Sequence, residues 1–304
     1  MRTIRTRWML GSAVGSAVLA VMIGASFAPP TVSAQRQPPD EADMHYDLAL
    51  RLKQAGRNAQ ALVEARRVVE LRPTHAAAHF TIGSLERRAG NLEAALTAFQ
   101  RVVELEPRHA NGHGMVGATL ARLRRYGDAV PALRRAVELD PRDASSWINL
   151  GSCLRRERQL DAAITAYQQG LRHSPEDADL LNNYAVALRR ANRPEEAMGM
   201  LETAVARAPD NALFHLNLAT IYRRLQRWSD AANHFETGLR LARDMEPRPD
   251  PGALFDLAYC YEQLGRNAEA VETYQRYIPL ARRSNPDGAA QAEERLITLL
   301  EGNP

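Results

Sequence analysis

Cysteine is almost absent from this chain. Cys153 and Cys260 are the whole supply in 304 residues, which excludes a small scaffold stapled by several disulfides. Aromatic side chains are scarce too, at 6%, whereas alanine and arginine are abundant, a profile that suits packed helices better than a sheet. There is no glycine-rich phosphate loop and no Gly-x-Ser-x-Gly elbow, so nothing points to phosphoryl or acyl transfer. Gly112-His113-Gly114 marks only a locally weak helix. Nor is there a lasting excess of charge. The formal net charge of +3 comes from Arg2, Arg5 and Arg7, because the first 34 residues hold no acid and the remainder sums to zero. Nucleic-acid binding needs many phosphate-neutralising cations, so no nucleic-acid partner is expected of a neutral chain.

What the chain does have is a period. Pro73, Pro107, Pro141, Pro175 and Pro209 follow one another at intervals of 34 residues. Proline lacks an N–H and clashes with a preceding helical turn, so each one marks where a hairpin stops and the next begins. The period belongs to an αα-hairpin repeat and predicts an all-α, elongated array. In that register the hairpins are 42–75, 76–109, 110–143, 144–177, 178–211 and 212–245, the last with Arg243 where proline is expected. Residues 35–41 read as a polar linker and 246–250 as an inserted loop rich in proline. A seventh hairpin is expected over 251–284 and a final amphipathic helix within 285–304.

The same register organises the packing. The eighth position is small (Ala49, Gly83, Gly117, Gly151, Ala185, Ala219, Ala258) and the twentieth is always alanine. The twenty-fourth is mostly large and apolar (Phe99, Leu133, Tyr167, Leu201, Phe235, Tyr274), and the seventh is apolar from Leu48 to Leu257. Small residues on one helix let the large ones of its neighbour interlock. Gly56, Gly90 and Gly265 mark turns between helices. Pro131, just after Asp128, is expected in the first turn of its helix, where a missing N–H costs little. Cys153 and Cys260 both hold the tenth position, three repeats apart. Only neighbouring repeats touch in a solenoid, so no bridge between them is expected.

The N-terminus has its own pattern. A basic stretch with Arg2, Arg5 and Arg7 precedes the uncharged run Trp8–Ala28, then Pro29-Pro30, then Val32-Ser33-Ala34. This is the layout of a signal peptide over 1–34 with a small-residue cleavage site. It has no Arg-Arg pair and no nearby cysteine for lipidation. The alternative is an uncleaved anchor, since the uncharged run is long enough to span a bilayer. The first reading makes the repeats periplasmic. The second leaves them periplasmic but anchored in the inner membrane, the one membrane contact expected.

Trp147, Leu150, Gly151, Leu154, Ala163, Tyr167 and Pro175 carry a resemblance: the pattern over about 42–284 resembles the tetratricopeptide repeat family. The resemblance implies a right-handed superhelix of about seven helix pairs, with first helices lining a concave groove and the last helix acting as a solvating cap. The first repeat departs most, with Ala65 at the twenty-fourth position. The resemblance also implies that the second, fifth, sixth, ninth, twelfth and thirteenth positions face the groove.

Two ladders follow from that placement. The twelfth and thirteenth positions supply Arg87, Arg88, Arg122, Arg155, Arg156, Arg189, Arg190, Arg223 and Arg224. Arginine's donor fork suits carboxylates and phosphates, so these residues fit an acidic segment. Equally, arginines at the C-terminal ends of helices complement the helix dipole and pair with glutamates, for which Glu70, Glu104 and Glu138 are the candidates. The sixth position supplies Asn149, Asn183 and Asn217, with Asn182 expected to widen the patch. An amide both donates and accepts, so a row of them can hold a peptide backbone without reading its sequence. The row looks like the asparagine ladder in the repeats of O-linked N-acetylglucosamine transferases, whose catalytic domain has no counterpart here. Solvent-facing polarity is the plainer reading.

His75 with His79, and His109 with His113, stand at i and i+4, a spacing that can hold zinc, but no acid completes the motif and a structural role is expected. The expectation is therefore a non-enzymatic envelope scaffold that binds an extended, acidic peptide or protein segment in its groove, with no cofactor and no metal. The alternative is a structural assembly factor acting through its convex face or C-terminal helix.

Overall fold

In the first helix of most units, the start is set by a polar side chain that satisfies an N–H which helix geometry leaves unpaired. Asp40, His75, His109, Asp143, Asp177 and Asn211 each accept a bond from a backbone amide two or three residues on. The second helices begin without such a cap. Four of them instead pair the arginine at the N-cap with an acid three residues later: Arg125–Asp128, Arg193–Glu196, Arg227–Asp230 and Arg266–Glu269.

These starts give fifteen helices in the computed structural model, which describes residues 40–243 and 251–302. They are α1 (Glu41–Gln54) and α2 (Asn58–Leu71), α3 (Ala76–Ala89) and α4 (Leu92–Leu105), α5 (Ala110–Arg122) and α6 (Tyr126–Leu139), and α7 (Ala144–Arg156) and α8 (Leu160–His173). Then come α9 (Ala178–Arg190) and α10 (Pro194–Arg207), α11 (Ala212–Arg224) and α12 (Trp228–Leu241), and α13 (Gly252–Gln263) and α14 (Asn267–Ala281). A lone helix, α15 (Pro286–Leu300), packs on α14. Among the described residues there is no strand, and no helix is long and apolar enough to cross a membrane. The signal peptide or anchor, most of the linker and the inserted loop lie outside the described residues. Asp40 and Glu41, read above as linker, are the cap and first residue of α1.

Each pair of helices turns on one residue at the fifteenth position. Gly56, Gly90 and Gly265 take it up with φ of 73°, 87° and 70°. In the four repeats between, Arg124, Arg158, Asn192 and Gln226 are held at 58–61°. Such values cost a side chain with a Cβ about 1–2 kcal/mol.

The helices then interlock as the small and large positions foretell. A Cβ added to Gly83 would lie 2.7 Å from the Phe99 ring, and one on Gly151 would lie 2.5 Å from Tyr167. Phe99, Leu133, Tyr167, Leu201, Phe235 and Tyr274 are all buried. Consecutive repeats are also tied through the prolines. The fourth-position ring donates to the preceding proline carbonyl: His79 to Pro73 (2.9 Å), His113 to Pro107 (3.1 Å), Trp147 to Pro141 (2.9 Å) and His215 to Pro209 (2.9 Å). One apolar core runs from α4 to α15, and α1 and α2 contribute only to small separate clusters. Leu48 in α1, the first described helix, is 44% exposed.

One expectation needs correction and another is met: the helix turn that holds Pro131 differs, and the two cysteines form no bridge. Pro131 sits in the second turn of α6, not the first, because the helix already begins at Tyr126. Its missing N–H would have bonded to the Gly127 carbonyl, so the cost is one helical hydrogen bond. Cys153 and Cys260 are buried and unpaired, and burial raises their thiols to about 11 and about 12.

Candidate functional site

The first helices touch one another directly, α5 with α7, α7 with α9, α9 with α11 and α11 with α13, and among the described residues no two second helices come together to a comparable extent. Shorter separations on one side mean that the array curves with its first helices inside. The arginine and asparagine ladders stand on those helices.

The asparagines are not equivalent. Asn149, Asn183 and Asn217 are half-buried. Asn183 donates to the Asp179 carbonyl of its own helix at 2.8 Å. Asn217 donates to the Asn182 side chain of the preceding repeat at 2.7 Å. Asn182 itself is 5% exposed, so it does not widen an open patch as expected. Its position five faces the next first helix, where it anchors Asn217 from behind. At the C-terminal end of this row Leu216, Asn217, Thr220, Phe255, Asp256 and Gln291 line a concavity of about 590 Å³.

The arginines are arranged in two depths. Those at the twelfth position (Arg87, Arg155, Arg189, Arg223) are half-buried, and those at the thirteenth (Arg88, Arg122, Arg156, Arg190, Arg224) are exposed. The Nε atoms of Arg87, Arg155 and Arg223 are buried without a hydrogen-bond partner. Burial lowers the pKa of Arg189, and the nearby charges of Arg190, Arg224 and Arg155 lower it further. Glu70, Glu104 and Glu138 do not neutralise the ladder. They sit on the second helices, three residues after Arg67, Arg101 and Arg135, and pair with those instead. Among the described residues, Arg223 alone of the nine has a carboxylate within 4.0 Å, Asp256 at 3.5 Å. Two of the outer arginines have neutral partners: Arg122 donates to the Arg87 carbonyl at the end of α3 (3.2 Å), and Arg224 to the Asn192 side chain in the preceding turn.

Sequence reasoning missed Arg124 and Arg158. Both are exposed at left-handed turns beside the ladder. The signal was present: they align with Gly56, Gly90 and Gly265, and an arginine in a glycine's place is unusual.

The histidines have other tasks. His75 and His109 cap α3 and α5 through Nδ1 (3.1 and 2.8 Å), while His79 and His113 bind the proline carbonyls. His215 and His234 face each other, Nδ1 to Nδ1, at 2.9 Å. Among the described residues no three groups of metal-binding type come together.

Known proteins agree with this architecture. A family model described as the cilia and flagella-associated protein 70 C-terminal domain, a tetratricopeptide-repeat model, matches residues 40–253, and one described as tetratricopeptide repeat matches 252–278. No curated protein matches. Among solved structures, YrrB, described as a tetratricopeptide-repeat protein with an unusual peptide-binding site, is 26% identical, with TM-score 0.51 over 57% of this chain and 89% of its own. PilF of Pseudomonas aeruginosa is 16% identical, with TM-score 0.63 over 72% of this chain and 97% of its own. PilW, described as a type IV pilus biogenesis factor, is 16% identical, with TM-score 0.60 over 69% and 97%. The last two share the fold alone.

Proposed function

The chain belongs to the tetratricopeptide repeat family, a protein-interaction scaffold fold, and from that premise we propose that it is an exported, non-enzymatic scaffold holding an extended segment of a partner protein against its first helices. The observation that carries this reading is the row of half-buried amides, Asn149, Asn183 and Asn217, on helices that touch in series. Mid-helix asparagine is mildly unfavourable, and here it recurs at one position in three consecutive repeats. The Asn182–Asn217 bond presets one amide across a repeat boundary, which lowers the ordering cost of binding. The likeness to YrrB, whose own description includes a peptide-binding site, supports the choice of ligand. Flanking arginines would hold acidic side chains of the same segment. Export rests on the N-terminal pattern, and the setting proposed is the bacterial periplasm, with repeats either free or tethered by an uncleaved N-terminus.

The test is to replace Asn149, Asn183 and Asn217 by alanine and recover cross-linked partners from intact cells. Loss of partners with an unchanged helical circular-dichroism signal is expected. Partners recovered unaltered would end the groove reading.

A second reading has one observation behind it. Ile297 and Leu300 on α15 are 55% and 64% exposed, an apolar end face suited to assembly. If that face is the interface, removing α15 abolishes partner recovery while the asparagine variant does not.

A further inference from the structure

The chain is able to pair its arginines and does so in some places. Arginines at the sixteenth position bind the acid at the nineteenth, and those at the twenty-sixth bind the glutamate at the twenty-ninth. At the twelfth, thirteenth and fifteenth positions this stops. There, among the described residues, Arg223 alone meets a carboxylate. The result is a cationic strip along the inner edge, from Arg87 to Arg224, in a chain whose charge is otherwise balanced. Nearly every cation is an arginine: Lys53 is the single lysine. Like charges at close range oppose one another, and the left-handed turns at Arg124 and Arg158 add a backbone cost where glycine would have none. A strip with one carboxylate contact within the described residues, strained at two points, is complementary to an external anion.

The strip has a defined end. In the seventh repeat Glu262 takes the twelfth position and bonds to Arg295 of α15 at 2.7 Å, and Asp256 meets Arg223. Its spacing is also defined. Packed helices lie about 8–10 Å apart. An extended chain advances about 3.3 Å per residue, so about three partner residues pass each repeat. The depth of the strip favours a chain over a plane. The Nε atoms of Arg87, Arg155 and Arg223 at the twelfth position are buried, so a flat anionic surface would meet chiefly the exposed outer arginines.

We propose that the segment held by this scaffold is acidic, with a carboxylate at about every third residue, each one received by the arginines of one repeat between Arg88 and Arg224. This rests on the groove reading above and adds the partner's charge and its register. The second, fourth, fifth and sixth repeats each offer one recessed and one exposed guanidinium, which can grip a carboxylate from two sides, whereas the third has Ala121 at the twelfth position and offers the exposed Arg122 and Arg124.

Synthetic peptides of roughly seventeen residues, long enough for five glutamates at either spacing, test it on the full chain. All carry five glutamates in a serine–alanine background, placed every third residue, every fourth residue, or consecutively. Fluorescence anisotropy is expected to give the three-residue spacing an affinity about tenfold above the other two. Arg156→Glu with Arg190→Glu, both at exposed sites, should remove that preference while leaving helix content intact. Equal affinity for all three peptides would overturn the register, as would no measurable binding of the three-residue peptide. Tighter retention on phosphatidylglycerol vesicles than on any peptide would assign the strip to a membrane surface instead. The two readings separate cleanly. Equal affinity for the three peptides, lowered alike by the asparagine variants, would keep the groove and lose the register. A three-residue preference whose absolute affinities the asparagine variants leave unchanged would keep the arginines and lose the amides.

Discussion

The first and seventh repeats are held in place by different forces. In the first, the buried apolar side chains are Ala42, Ala49, Ala61, Ala65 and Val68, none larger than valine. It is fastened mostly by charge: Arg72 to Asp40 and Asp43, Arg67 to Glu41 and Glu70, and Arg66 to the buried Glu86 of the second repeat. Asp40 is held below the usual carboxylate range by its hydrogen bond from Arg72. In the seventh repeat Tyr261, Tyr274, Tyr277 and Ile278 are buried, and α15 adds Ala289 and Ala292 to the same core. Exposed ion pairs contribute about 0–1 kcal/mol each and weaken in salt, whereas burying a large apolar side chain contributes about 1.5–3 kcal/mol and does not. A solenoid can therefore end softly or firmly, and this one does both.

The most direct way to break that comparison is truncation. Removing residues 285–302 should lower the melting temperature by well over about 5 °C, because it uncovers Tyr277 and Ala281 and strips Glu262 of Arg295. Removing residues 40–75 should lower it less. Equal falls would show that the ends do not differ. Side-chain truncation is the next largest effect. In urea unfolding, Tyr274→Ala should cost about 3–5 kcal/mol, and Val68→Ala about 1.6 kcal/mol. A larger loss at Val68 would reverse the assignment.

Acid should expose a weakness away from both ends. Burial, and then the neighbouring His215, lower the pKa of His234, while Asp230 and Glu202 oppose the shift. The unfolded chain therefore binds a proton at a higher pH than the folded one. The stability of the sixth repeat is fully present above the ordinary histidine value and is lost as pH falls through the lowered one. Hydrogen exchange between pH 7 and pH 5 should show α11 and α12 losing protection, and His234→Asn should flatten that response. Protection unchanged across the range would remove the pair as an acid-sensitive point. The smallest effect lies in the turns. Arg158→Gly should raise stability by up to about 1 kcal/mol, and Gly90→Arg should lower it by a similar amount. If Arg158→Gly instead destabilises, the arginine stabilises the fold through contacts that outweigh its backbone cost.

Much of this was written in the chain itself. The spacing of the prolines, the small eighth position and the constant alanine at the twentieth determine an all-α array, because helix pairs of one length can stack on one another only in a single register. Gly56, Gly90 and Gly265 announce their left-handed turns for the same local reason. The assignment of the arginines and asparagines to first helices was equally legible, since it follows from counting residues.

The partners of those side chains were decided by the tertiary structure. Asn182 and Asn183 are adjacent in sequence, yet one is buried behind Asn217 and the other is bonded within its own helix, a difference set by rotation of α9 against α11. Glu70, Glu104 and Glu138 looked available to the arginine ladder, but the second helices turn them toward Arg67, Arg101 and Arg135. Sequence determines charge balance over the whole chain. Only packing decides which charges meet, because an ion pair depends on a few ångströms of side-chain placement that neither composition nor period specifies.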